Sequence, residues 1–153
     1  VGCKSIIHIN GPFDLETPTQ NRRKAYEDLV EKPITYELNN LFNEEATAAT
    51  IRQVFNDYPE TDGIFASDDL IAATCLKVAQ ELHIDVPKQL KVVGYDGTQT
   101  VSSLLPQLTT IRQPIEDIAK TAVIKLNEII EEAQTDETME IILPVQFVKN
   151  RTT

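Results

Sequence analysis

The sequence predicts an α/β domain built as a three-layer, parallel-sheet structure, and three observations predict it. Strand-period and helix-period segments alternate along the whole chain. Clusters of Gly, Pro, Asn and Asp punctuate the joints between them. Finally, the run from Leu90 to Thr98, LKVVGYDGT, is a short apolar strand that breaks at the turn pair Asp96-Gly97. That form leaves Asp96 facing the crevice beyond a strand's carboxyl end, where open α/β sheets bind ligands.

Each element has its own signal. Ser5 to Ile9 is apolar and β-branched and is stopped by Asn10-Gly11-Pro12. A helix is expected from Pro18 to Glu31, with Ala25, Tyr26, Leu29 and Val30 on one face, and Ile34 to Leu38 is a second strand. Glu44 to Tyr58 repeats at helical spacing through Ala48, Ile51 and Phe55 until Pro59 ends it. Gly63 to Ala66 is the third strand. Ser67-Asp68-Asp69 then offers capping side chains to a helix striped by Ile71, Cys75, Val78, Ala79 and Leu82. Pro87 marks the turn into the fourth strand, and Leu108 to Ile111 is a fifth, β-branched segment. Pro114 opens the clearest helix, whose apolar face runs from Ile115 through Ile118, Ala122, Val123 and Leu126 to Ile130. After a polar loop from Glu131 to Glu140, Ile141 to Val148 reads as a last strand, held at an edge by Pro144. Repeated βα units imply right-handed crossovers with helices on both faces.

Composition excludes several functions. A length of 153 residues with 41% apolar content suffices for one core, while a formal net charge of -10 argues against nucleic-acid contact by this stretch, which needs clustered Lys and Arg. Cys3 and Cys75 have no metal-ligand spacing and are expected as free thiols in a reducing compartment. No apolar run approaches the roughly 20 residues of a membrane span and no leader opens the chain, so a soluble, cytoplasmic protein is expected. His8, inside an apolar strand, and His83, at a helix end, lack companion ligands, so no metal is expected. No glycine-rich phosphate loop is present, and no cofactor is expected.

In a parallel sheet, Asn10, the Asn39 to Phe42 segment, Ser67-Asp68 and Tyr95-Asp96 all follow strands and gather on one rim. Carboxylates, amides and an aromatic ring together suit a polyhydroxylated ligand. Asp68 and Asp69 also admit a capping reading and an acid/base reading, Asp96 a turn-only reading, and Arg22-Arg23-Lys24 a solvated helix face. No arrangement demands catalysis, and an enzyme is not expected.

Gly94-Tyr95-Asp96 followed by Pro106 to Pro114, PQLTTIRQP, resembles the signature of the lactose-repressor/galactose-repressor (LacI/GalR) family of transcription factors. Ile64 to Asp69, Val86-Pro87 and the ending Leu143 to Thr153 carry the likeness across nearly the whole chain. The resemblance implies a periplasmic-binding-protein-like type I fold, in which two subdomains close over a sugar or sugar-phosphate effector. Residues 1–153 would then be a partial effector-binding domain, mainly its C-terminal subdomain, beginning in a helix at Val1-Gly2-Cys3-Lys4. The helix-turn-helix domain that grips operator DNA would be absent from this chain. The segment after Ile111 would cross to the other subdomain, leaving the Pro114 helix without its packing partner. A homodimer is implied for the full-length repressor.

By the same resemblance the effector contacts fall on Asp96, Arg22, Phe42, Ser67 and Asp68, with Arg23 as an alternative to Arg22 because Ala25 stands where the family carries glycine. Thr47 likewise replaces a glycine, and Ser67 a frequent asparagine. Tyr95 to Thr98 is similar to the corresponding run of sucrose-operon repressors, which points towards sucrose or a phosphorylated derivative. A periplasmic sugar-binding protein shares this fold and would be marked by an upstream leader, as the repressor would be by an upstream helix-turn-helix. An enzyme on a flavodoxin-like sheet is the third reading, since fold does not fix function.

Overall fold

The computed structural model describes residues 2–11, 18–38, 43–132 and 140–153. The elements run β1 (Ile6–Asn10), α1 (Pro18–Leu29), β2 (Ile34–Glu37), α2 (Glu44–Asp57), β3 (Gly63–Ala66), α3 (Asp69–Glu81), β4 (Lys91–Asp96), α4 (Gln99–Leu104), β5 (Thr109–Arg112), α5 (Ile115–Glu132) and β6 (Gln146–Val148). The strands form one sheet in the order β2-β1-β3-β4-β5-β6. The first five are parallel, as each βα crossover requires, and β6 adds antiparallel to β5 at the edge.

Side-chain alternation sorts the faces. Ile7, Ile9, Ile64, Ala66 and Val92 bury themselves with Ala48, Ile51 and Val54 of α2 and Ile71, Ala72, Cys75, Val78 and Ala79 of α3. Gly94 continues this face, and a Cβ there would stand 2.3 Å from Asp69 Oδ1 and 3.2 Å from Ala72 Cβ. Glycine is what lets α3 lie close to β4. Asn43, Asp68 and Thr98 cap α2, α3 and α4 through their side-chain oxygens, each accepting a hydrogen bond from a first-turn N–H.

The opposite face carries α1. Its buried Tyr26 hydroxyl donates to the Ile6 carbonyl at 2.7 Å and accepts from the Ile34 N–H at 2.9 Å, tying α1 to β1 and β2. Beside α1 lies an apolar groove of about 490 Å³ lined in part by Ile6, Leu29, Phe65, Val93, Ile111 and Val145.

Three features differ from the sequence-based expectation. Residues 2–5 are not helical, because the Asp62 carboxylate captures the Lys4 N–H at 2.9 Å and the Ser5 N–H at 2.9 Å, tying the approach to β1 to the start of β3. A short helix, α4, follows Thr98, where the polar sequence QTVSSL gave no apolar period. The last strand is three residues rather than the whole of Ile141 to Val148, because Pro144 has no N–H to give a ladder, and its direction makes the sheet mixed. The most amphipathic helix leaves its apolar stripe exposed, with Val123 at 59% and Ile130 at 67%, in keeping with the expectation of a helix without its packing partner.

The chain end closes the amino-terminal edge of β4 and β5. Buried Thr152 donates its hydroxyl to the Val92 carbonyl at 2.7 Å and accepts from the Thr109 N–H at 2.9 Å. Asn150 donates through Nδ2 to the Leu108 carbonyl at 2.8 Å.

Candidate functional site at the carboxyl ends of the strands

The connections after β1 and β3 leave towards opposite faces of the sheet, α1 on one and α3 on the other. The order β2-β1-β3-β4-β5 therefore has its topological switch point between β1 and β3, where the diverging connections open a crevice. Asn10 ends β1 there, and Ser67 follows β3, its N–H bound to the Ile9 carbonyl at 2.9 Å.

Arg22 reaches this crevice from α1. Its Nη1 donates to the Ser67 carbonyl, and its guanidinium carbon lies 4.2 Å from the centroid of the Tyr95 ring. A cation stacked on an aromatic face keeps its remaining N–H groups in a fixed plane. Arg23, one residue on, turns away to pair with Glu27 at 2.7 Å on the flank of α1.

Asp96 ends β4 with φ at +114°, a conformation that non-glycine residues rarely hold without outside support. Gln113 supplies that support. Its N–H donates to the Asp96 carbonyl at 3.0 Å and its Nε2 to Asp96 Oδ1 at 2.7 Å. Asp68 caps α3, accepting from the Ile71 N–H at 2.7 Å. Burial, reinforced by the neighbouring Asp96 charge, raises the Asp68 carboxyl above the usual range, while the Ile71 N–H and Arg22 oppose the shift. Asp69, almost wholly buried, is raised chiefly by burial as well, against the hydrogen bonds from Thr110 and Gly97.

The structure thus brings Arg22, Ser67, Asp68 and Asp96 to one rim. Phe42 lies outside the described residues, as does the whole Asn39 to Phe42 segment. Gln113 is a contributor that residue-by-residue reading missed, although it sits inside the PQLTTIRQP run. Chemically, the rim offers charged acceptors, an amide and a planar cation on an aromatic. With Asp68 Oδ1 engaged by its own helix, the set matches hydroxyl recognition better than proton transfer.

The model of the periplasmic binding protein-like domain matches residues 1–153. A sucrose operon repressor from Pediococcus pentosaceus is 36% identical over 154 residues, covering 99% of this chain and 47% of the relative. A ribose operon repressor from Halalkalibacterium halodurans is 33% identical over 157 residues, covering 99% and 46%. The chain therefore spans about half the length of these relatives. Among solved structures, a periplasmic binding protein/LacI transcriptional regulator from Alkaliphilus metalliredigens, complexed with D-xylulofuranose, superposes with a TM-score of 0.80 at 28% identity, over 99% of this chain and 57% of that one. A LacI family regulator from Arthrobacter sp. FB24, complexed with lactose, has a TM-score of 0.84 at 22% identity over 99% and 59%, a likeness of fold.

Proposed function

The chain belongs to the periplasmic-binding-protein-like domain family, as effector-binding region of a LacI/GalR-type regulator, and from that premise we propose that it forms one wall of the sugar site of a transcriptional repressor. The observation that carries the proposal is the rim itself: Arg22 stacked on Tyr95 and bound to Ser67, facing the carboxylates of Asp68 and Asp96 across the ends of β3 and β4. Asp96 and Asp68 accept from vicinal hydroxyls, Ser67 adds a short polar contact, Arg22 donates in a plane, and Phe42 is assigned a stacking role. The effector is a sugar or sugar phosphate, with sucrose and ribose as first candidates because the relatives at 36% and 33% identity are repressors of sucrose and ribose operons.

The second wall belongs to a subdomain outside this chain. The exposed apolar stripe of α5, together with Ile142 at 84% exposure, supports this reading, since large exposed apolar patches mark contact surfaces. The chain leaves the sheet after β5 and returns at β6, and closure of the two subdomains about these crossings transmits effector binding to operator affinity. Operator contact lies in a domain outside this chain, whose net charge of -10 disfavours DNA. The full-length repressor acts as a cytoplasmic homodimer, a point that sedimentation of that protein tests.

Calorimetric titration of the full-length protein with sucrose and D-ribose tests the site. Asp96→Ala is expected to weaken binding by about one to two orders of magnitude, since a hydrogen bond to a charged group contributes roughly 1.5 to 3 kcal/mol. Unchanged affinity in a folded Asp96→Ala protein would reduce this residue to turn chemistry.

A further inference from the structure

Asn10 occupies the topological switch point and is 1% exposed, yet neither Nδ2 nor Oδ1 of its carboxamide has a hydrogen-bond partner among the described residues. Buried amides are almost always paired, because leaving both a donor and an acceptor unsatisfied forfeits their hydration with no return. An apolar residue of similar size would fill the same space at no such cost. A sequence that places an amide there has a use for it when something else supplies the missing partners.

Geometry limits what that partner is. Alternation puts Asn10 on the same side of β1 as His8, under α1, because Ile7 and Ile9 point into the core on the other side. Its main chain is fixed on the β2 side by the Leu38 N–H, which binds the Asn10 carbonyl at 2.9 Å. On its other side is Ser67, whose carbonyl holds Arg22. The carboxamide therefore ends β1 between the neighbouring strands, on the α1 side from which Arg22 enters the rim. His8 Nε2 and Thr35 Oγ1, the other buried orphans, are register partners one step deeper along the strands, away from the rim.

We infer that Asn10 is a specificity-determining residue of the effector site, its Oδ1 accepting from one sugar hydroxyl and its Nδ2 donating to an adjacent sugar oxygen. This inference rests on the sugar-site reading above. A carboxamide is suited to the task because it offers donor and acceptor side by side, matching two neighbouring oxygens of a polyol where a carboxylate could only accept.

Calorimetry with sucrose and D-ribose on the full-length protein provides the test. Asn10→Leu keeps the branched heavy-atom outline in a somewhat larger side chain and removes both orphans, so the unliganded protein is expected to melt within a few degrees of wild type while affinity for the bound sugar falls roughly tenfold to a hundredfold. Should Asn10→Leu fail to fold, Asn10→Asp keeps the size and the acceptor but loses the donor, and a fall in affinity is again expected. If wild type binds, Asp96→Ala weakens that binding and the folded Asn10 variant does not, the Asn10 inference is overturned while the sugar site stands. If wild type binds neither sugar, nor the phosphate ester of either in the same titration, the sugar-site reading itself falls and takes this inference with it.

Discussion

The carboxylate of Asp69 and the backbone N–H of Gly97 meet at 2.8 Å, 28 residues apart in sequence, so that the first residue of α3 holds the turn that follows β4. The other oxygen of the same carboxylate accepts from the Thr110 hydroxyl of β5 at 2.6 Å. One buried side chain therefore links three consecutive βα units directly behind Asp96. Gly97 accommodates this arrangement with φ at +60° and no side chain, since a Cβ would lie 2.6 Å from Arg112 Cα.

Asp69→Ala would strand a buried hydroxyl and a buried N–H as well as removing two charge-assisted hydrogen bonds. A loss of roughly 2 to 4 kcal/mol in stability is expected, read from urea denaturation. A loss below about 0.5 kcal/mol would show that the turn is held by other contacts.

How much of this was legible in the sequence follows from the range of each interaction. The order of strands and helices was readable because β-branched runs and the stripe from Ile71 to Leu82 carry their period locally. The sequence presents Asp69 beside Asp68 as a second candidate cap, and only Asp68 caps. The partners that distinguish them, Gly97 and Thr110, lie 28 and 41 residues away, beyond any local pattern. Gln113 was hidden for the same reason, since its bond to Asp96 spans 17 residues. The α4 helix is illegible because its six residues hold only Val101 and Leu104 as apolar positions, too few to show a period, while the Thr98 cap acts through a single hydrogen bond. Resemblance offers Arg22 with Arg23 as its alternative, and which of the two adjacent guanidinium groups faces Tyr95 is visible only in the structure.

Thr152, beside the last residue of the chain, closes β4 to β5 through one hydroxyl that donates to Val92 and accepts from Thr109. Thr152→Val preserves the shape and removes both bonds. It is expected to cost about 1 to 3 kcal/mol, measured by thermal or chemical denaturation, while Thr152→Ser recovers part of that loss.

His8 predicts a pH dependence of stability. Its Nδ1–H donates to the Phe65 carbonyl at 2.8 Å, leaving Nε2 as a bare buried nitrogen with no partner among the described residues. Burial lowers its titration below the ordinary value near 6.5, and the charges of Arg22 and Arg23 act in the same direction, against the Phe65 carbonyl and Glu27. Between its folded and unfolded titrations the unfolded chain binds more protons, so this group's contribution is present above about pH 6.5 and is lost as pH falls below it. Asp68 and Asp69, raised in the fold, act oppositely at lower pH, because there the folded chain binds more protons. The difference between wild type and His8→Gln isolates the histidine: melting profiles should diverge between pH 7.5 and 5.5, with wild type losing more. Parallel profiles would exclude the effect.

Arg22 and Arg23 provide the last prediction, because adjacent arginines on one helix differ in what they touch. Arg22 lies 4.2 Å over the Tyr95 ring and donates to the Ser67 carbonyl, whereas Arg23 pairs with Glu27 at 2.7 Å, both side chains being about a third exposed. Lysine keeps the charge but loses the plane that stacks on tyrosine and the forked set of donors. Arg22→Lys in the full-length repressor is therefore expected to weaken effector binding roughly three- to thirtyfold, while its melting temperature moves by no more than a few degrees. Arg23→Lys should leave affinity unchanged, since an exposed i,i+4 pair such as that with Glu27 contributes only about 0.3 to 0.5 kcal/mol. Calorimetric titration of both variants decides the matter: equal effects would remove the distinction between the two arginines, and a loss confined to Arg23→Lys would transfer the effector contact to that residue.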